Sequence, residues 1–266
     1  NGYFGRDLVQ QFVNQHGQPD IITFTNVFAH IEDLKEVVDA LKILKKPETI
    51  LVIENHYLGA ILKKNQFDTF YHEHPRTYSL TSFVSIAKSL EMNFLDFEFT
   101  ERYGGNIRVF LGGTTAVRKD VAEKIENALQ TEKSFGPQMD VLADRIEIWK
   151  ANKSKEISAL VAKYGPLKAK AFPGRSAIPM KILGLSTKEI SAIYEKDGSI
   201  KVGNKAPGCD IPILSDATFK ISSDDKQPLI NLAWHISTEI HGYMRKIGHK
   251  GPIIDIIDED DFTNKG

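Results

Sequence analysis

The sequence predicts an α/β protein of two domains, each built on a largely parallel sheet, and three observations carry this. Two short β-rich apolar runs, 20–26 and 50–54, flank a stretch whose apolar residues recur at helical spacing, so strand, helix and strand form a βαβ unit. The same alternation returns in the last hundred or so residues, with apolar runs at 190–195, 229–235 and 252–257. Between them lies a long polar stretch from Val117 to Tyr164 patterned only for helices. The expected organisation is a first α/β domain over 1–115, a helical connector over 116–165 and a second α/β domain over 166–266.

Composition narrows the function classes. The 266 residues are 41% hydrophobic and 26% charged, with a formal net charge of −1. That balance is enough apolar material for real cores and argues against a general nucleic-acid binder, which would show a basic excess. No apolar run approaches the ~20 residues of a membrane span, so no membrane partner is expected. A single cysteine, Cys209, excludes an internal disulfide and fits a reducing, cytoplasmic address. It has no base beside it in sequence, so it is read as packing rather than as a nucleophile.

Taken in order, Leu8, Phe12 and Val13 give a short amphipathic helix that ends near Gly17. The first strand follows, then a helical face of Ile31, Leu34, Val37, Val38, Leu41 and Leu44, then the second strand after Pro47. A parallel sheet with helices on both faces is the expectation, with ligands outside the carboxyl ends of its strands. Asn26 ends the first strand, His30 comes one turn after it, and Asn55, His56 and Tyr57 follow the second. Strands near 94–99 and 106–110 close the domain, and Gly104-Gly105 ahead of the last marks a bend or a close backbone approach. Arg108 reads as an ion-pair partner or a substrate contact. Phe135-Gly136-Pro137 breaks the connector into at least two helices. In the second domain, a strand near Lys168, the turn Phe172-Pro173-Gly174-Arg175-Ser176 and a helix through Ile182 would offer backbone N–H groups to a phosphate. The chain closes on an acidic tail expected to fray.

The stretch richest in chemistry is Phe67-Asp68-Thr69-Phe70-Tyr71-His72-Glu73-His74-Pro75-Arg76-Thr77-Tyr78-Ser79, a turn ahead of a helix that Ser79 can cap. A histidine titrating near neutrality can take a proton, and a neighbouring carboxylate can orient it. Two plainer readings stand beside that one. Such a turn can be merely solvated, and His72, Glu73 and His74 can start a metal site, which would need further ligands that no nearby pattern supplies.

Tyr-His-Glu-His closely followed by Tyr-Ser-Leu, after Phe-Asp-Thr, resembles the S-adenosylmethionine-dependent sugar C-methyltransferases. Asn26-Val27-Phe28-Ala29-His30 resembles that family's stretch beside the methyl donor, and Glu54-Asn55-His56-Tyr57 its Glu-Asn-x-Tyr segment. Gly104-Gly105-Asn106-Ile107-Arg108-Val109 is similar to a Gly-Gly-Ser-x-Arg-Val strand, with Asn106 in the serine position. Lys205-Ala206-Pro207-Gly208-Cys209-Asp210-Ile211-Pro212-Ile213 matches a Lys-x-x-Pro-Gly-x-x-Ile-Pro-Ile segment.

The resemblance implies a truncated Rossmann-like methyltransferase sheet and a second Rossmann-like domain that binds a nucleotide-linked 4-keto-deoxysugar. It implies His74 as the base for a proton α to the ketone, with Tyr71, Glu73 and His30 around it. Asn26 and Phe28 would contact the methyl donor, and Tyr57, Tyr78, Arg175 and Lys205 the substrate. Arg175 stands near a family lysine that this sequence does not match. No Gly-x-Gly turn precedes Asn26, so the S-adenosylmethionine pocket is expected to be incomplete in this chain. Zinc is expected only in the family's cysteine-rich N-terminal module, which this chain lacks. The rival readings are a sugar-nucleotide-binding remnant without methyl transfer and a metal hydrolase on His72, Glu73 and His74.

Overall fold

The computed structural model describes residues 2–113, 118–220 and 226–263. The chain divides into two compact units: Asn1–Gln66 with Phe70–Asp140, and Phe67–Thr69 with Val141–Gly266. The expected boundary at 115/116 lies outside the described residues. The expected connector is shared between the units rather than standing apart.

In the first unit, α1 (Arg6–His16) precedes β1 (Ile21–Thr25), α2 (Leu34–Leu44) and β2 (Ile50–His56). β1 and β2 are parallel, with Ile22 opposite Leu51 and Phe24 opposite Ile53. After α3 (Leu58–Lys63) and α4 (Leu80–Ser89) come β3 (Asn93–Thr100) and β4 (Asn106–Gly112), in the sheet order β1-β2-β4-β3. The expectation of a parallel sheet holds for the first pair only, since β4 runs antiparallel to both its neighbours. The short 101–105 link explains the β3–β4 pairing, because a parallel return needs a crossover of about a dozen residues or more. One face of the sheet packs Ile22, Leu51, Ile53, Ile107, Val109 and Leu111 against α2 and α4, through Val37, Leu41, Phe83 and Leu90. The other face of β1, carrying Ile21, Thr23 and Thr25, is exposed, so helices do not cover both sides there.

Two local devices set the site's surroundings. Gly104 (φ 89°) and Gly105 (φ 134°) lie in backbone that L side chains rarely adopt. Gln66 Nε2 donates to the Gly104 carbonyl (3.0 Å), and any side chain on Gly105 would strike Ala60. The glycine pair is therefore both a bend and a close approach. At α4, Ser79 and Ser82 form a reciprocal capping box. Glu132, at the end of α5 (Lys119–Glu132), adds a second cap: it accepts the backbone N–H groups of Leu80 (2.7 Å) and Thr81 (2.8 Å), the Thr81 hydroxyl (2.6 Å) and the Tyr57 hydroxyl (3.1 Å). The expected break into two helices is present just ahead of Phe135-Gly136-Pro137, which opens α6 (Phe135–Tyr164). Pro137 is tolerated because first-turn N–H groups lack intrahelical partners.

The second unit is a five-stranded sheet in the order β7-β6-β5-β8-β9, with every pair parallel. β5 (Leu167–Lys170) is central, flanked by β6 (Ile190–Glu195) and β8 (Leu229–Asn231); β7 (Ile213–Ser215) and β9 (Ile253–Asp255) are the edges. Short α7 (Ala177–Ile182) follows β5, and α8 (Ser237–Lys246) follows β8. The order reverses at β5, so the crevice past β5 and β8 is this sheet's switch point. The acidic tail does not fray over its described part. Asp261 and Phe262 are buried, and Asp261 pairs at 2.8 Å with Lys153, itself 2% exposed.

Candidate active site

The turn at Tyr71–His74 is closed by the His74 backbone N–H donating to the Tyr71 carbonyl at 2.8 Å. The His74 ring lies between two others, with its centroid 4.7 Å from Tyr71 and 4.7 Å from His30. His30 arrives from the turn that follows β1, and its Nδ1 sits 2.7 Å from the Glu73 carbonyl. A carbonyl only accepts, so Nδ1 carries the proton and the Nε2 of a neutral His30 keeps its lone pair. The Tyr71 hydroxyl donates to Glu73 Oε2 at 3.0 Å. Arg76 fastens the two segments together, donating to the carbonyls of Ile31 (3.2 Å) and Glu32 (2.8 Å). His30, Tyr71, Glu73 and His74 thus meet at one place, while the His72 side chain is 87% exposed. Among the described residues, no three or more His, Cys, Asp or Glu side chains are grouped to hold a metal ion.

A second polar cluster lies at the strand ends. Asn26 adopts φ 54°, a left-handed conformation that a short polar side chain tolerates, and its backbone N–H donates to the Glu54 carbonyl at 2.8 Å. Asn106 Nδ2 donates to Asn26 Oδ1 (3.0 Å) and Glu54 Oε1 (2.9 Å). Arg108 binds Glu54 Oε2 through Nε (2.8 Å) and Nη2 (2.6 Å), and Glu98 through Nη1 (2.5 Å). Burial works to raise the Glu54 carboxyl, but hydrogen bonds from Asn106 and Arg108 and the Arg108 charge outweigh it and hold the group below its ordinary range.

The remaining site candidates occupy varied settings. Phe28 is fully buried with its ring against Phe24 and Tyr78. Tyr78 is 2% exposed, stacks on Phe83 and donates to the Phe28 carbonyl at 3.1 Å; burial pushes its phenol up to about 12. The Tyr57 phenol is also raised, by burial and then by the Glu132 charge, and its ring packs on Phe99 and Phe135. In the second unit, Arg175 grips fully buried Asp68 with Nε (2.7 Å) and Nη2 (2.5 Å), beneath the Trp234 ring, whose Nε1 also donates to Asp68 at 2.7 Å. Lys205 is exposed beside Asp210, 3.4 Å away.

Sequence reasoning assigned no role to Asp68, Glu132 or the bridging amide of Asn106. Asp68 meets residues 107 and 166 positions away, and no local spacing signals such partners. Asn106 carried one usable clue, an amide where the resembling strand has a hydroxyl.

Two comparisons with known proteins bear on this arrangement. The family described as "C-methyltransferase C-terminal domain" matches residues 101–255. The C-methyltransferase NovU of Streptomyces niveus is 28% identical over 240 residues, covering 89% of this chain and 56% of NovU. The chain therefore spans a little over half the length of that curated relative.

Proposed function

The chain belongs to the C-methyltransferase C-terminal domain family, and from that premise we propose that it serves S-adenosylmethionine-dependent C-methylation of a nucleotide-linked 4-keto-deoxysugar in the cytoplasm. The observation that carries the reading is the His74 imidazole set between His30 and Tyr71. A proton α to a ketone is weakly acidic, so its removal needs a base of near-neutral pKa and polar groups at the oxygen that gains charge. His74 is the base. The Tyr71 hydroxyl, now on Glu73, can turn to that oxygen, leaving Glu73 to a sugar hydroxyl. His30 has its Nδ1–H committed to the Glu73 carbonyl, so it accepts a sugar hydroxyl at Nε2 when neutral and donates there when protonated.

S-adenosylmethionine, when bound, supplies an electrophilic methyl group on a sulfonium. The residues in place fit one end of that donor: Asn26 presents a partly exposed amide at the carboxyl end of β1, and Phe28 backs its turn from within the core. Tyr57, Tyr78, Arg175 and Lys205 are proposed to serve the substrate. Lys205 offers an exposed ammonium suited to a phosphate; the polar atoms of the other three are held by Glu132, the Phe28 carbonyl and Asp68, so each supports the segment it sits in.

The test uses the full-length protein with His74→Ala. Solvent exchange of the α-proton, followed by mass in deuterated water, should slow about 10²–10⁴-fold together with methyl transfer. Exchange at the wild-type rate with methyl transfer lost would assign the base elsewhere. Sugar-nucleotide binding with neither reaction in the wild type would make the chain a binding remnant.

A further inference from the structure

Four side chains at the strand ends form one hydrogen-bonded line, and the line has a direction. Arg108 holds Glu54 as a carboxylate, which can only accept. Asn106 must therefore turn its Nδ2 toward Glu54 Oε1, at 2.9 Å. Its other N–H points at Asn26, 3.0 Å away, and so obliges Asn26 to present Oδ1. The Nδ2 of Asn26 is left facing outward with two donors and no hydrogen bond among the described residues. Asn106 and Glu54 are 0% and 2% exposed, whereas Asn26 is partly exposed. The visible amide thus takes its polarity from the buried Glu54 carboxylate, two side chains behind it and held by Arg108.

We infer that Asn106 is a positioning residue: backed by Glu54 and Arg108, it turns the Asn26 amide so that its N–H groups donate to an anionic or carbonyl oxygen of the bound ligand. The inference rests on the methyl-donor reading above and names what that reading leaves open. Two ligand oxygens have this chemistry, the carboxylate of the donor's amino-acid part and the ketone oxygen of the sugar. An aspartate in place of Asn106, buried beside the Glu54 carboxylate, would take up a proton and donate it to Glu54; its other oxygen can only accept, so the Asn26 amide would reverse and show its oxygen to the ligand.

Calorimetry on the full-length protein separates the cases, with S-adenosylhomocysteine, which keeps the amino-acid carboxylate, and 5′-methylthioadenosine, which lacks it. Asn106→Asp should weaken S-adenosylhomocysteine about 10- to 100-fold and leave 5′-methylthioadenosine unchanged. Asn26→Ala should reproduce that selective loss, and the double variant should lose nothing further, because Asn106 acts through Asn26. If both nucleosides bind normally and kcat for the sugar falls instead, the acceptor is the ketone oxygen, which gains charge in the proton step, and the inference stands. Asn106→Ala, which removes both donors and adds no charge, gives the same comparison should the aspartate variant not fold. Equal weakening of both nucleosides, additive loss in the double variant, or no change in any constant would overturn the inference. A wild-type protein that binds neither nucleoside would instead overturn the methyl-donor reading, and this one with it.

Discussion

His235 shows how burial alone can turn one residue into a pH sensor for its unit. Its Nδ1 is buried without a hydrogen-bond partner among the described residues. Burial, and then the positive charge of Arg175, push its pKa down to about 4. A histidine in an unfolded chain titrates near ~6.5, so between the two values the unfolded state binds more protons. The folded pKa is depressed; its stabilising effect is complete above about 6.5 and is lost as pH falls toward 4, about 3 kcal/mol in all. Both tryptophans, Trp149 and Trp234, belong to the second unit, so their fluorescence follows its unfolding. Urea melts by that signal should lose stability from pH 7 to 4.5, and His235→Gln should flatten the loss. An unchanged slope in the variant would place the acid sensitivity on other groups. Nothing in the sequence marked His235, because its property comes from enclosure by residues distant in the chain.

At the scale of elements, Glu132 joins α5 to the start of α4. Its carboxylate accepts two backbone N–H groups that a helix leaves without partners, next to the positive end of the helix dipole. Glu132→Gln should keep the shape but lose the charge and part of the hydrogen bonding, costing about 1–3 kcal/mol. Thermal unfolding by circular dichroism measures it; a loss below about 0.5 kcal/mol would mean that the Ser79–Ser82 box caps the helix unaided. Elements whose signal is local were legible in the sequence: β1 and β2 as apolar runs, α4 from its serine cap, and Gly104-Gly105 as a bend. The antiparallel run of β4 was not, since a β-rich run carries no sign of the direction in which it will pair. In the candidate site, the histidine turn and His30 were legible through resemblance. The Asn106 bridge was not, because a strand amide reads alike whether it faces a carboxylate or water.

At the scale of the whole molecule, each unit closes on its own core, and the second also fastens its own end. Trp149 Nε1 donates to the Ile256 carbonyl (3.0 Å), Asn152 Nδ2 to that of Asp261 (2.9 Å), and Lys153 pairs with Asp261 at 2.8 Å. The Asp68–Arg175 pair is as deeply set, and breaking such a pair typically costs about 3–5 kcal/mol, because the surviving charge stays buried. Asp68→Asn should therefore shift the tryptophan-detected urea midpoint down sharply. Only a small shift would mean that Arg175 finds other partners.

Phe67–Thr69 has a practical consequence. These three residues lie in sequence inside the first unit and pack in the second, where Phe67 meets Trp149 and Phe262. A protease nick or genetic split at 140/141 would not yield two finished halves. The C-terminal fragment would present an empty apolar socket and an arginine stripped of its counter-ion, and the N-terminal fragment a loose, greasy loop. Complementation should depend on that loop: the fragments should reassociate when the N-terminal piece carries Phe67-Asp68-Thr69, and fail when those residues are replaced by glycines.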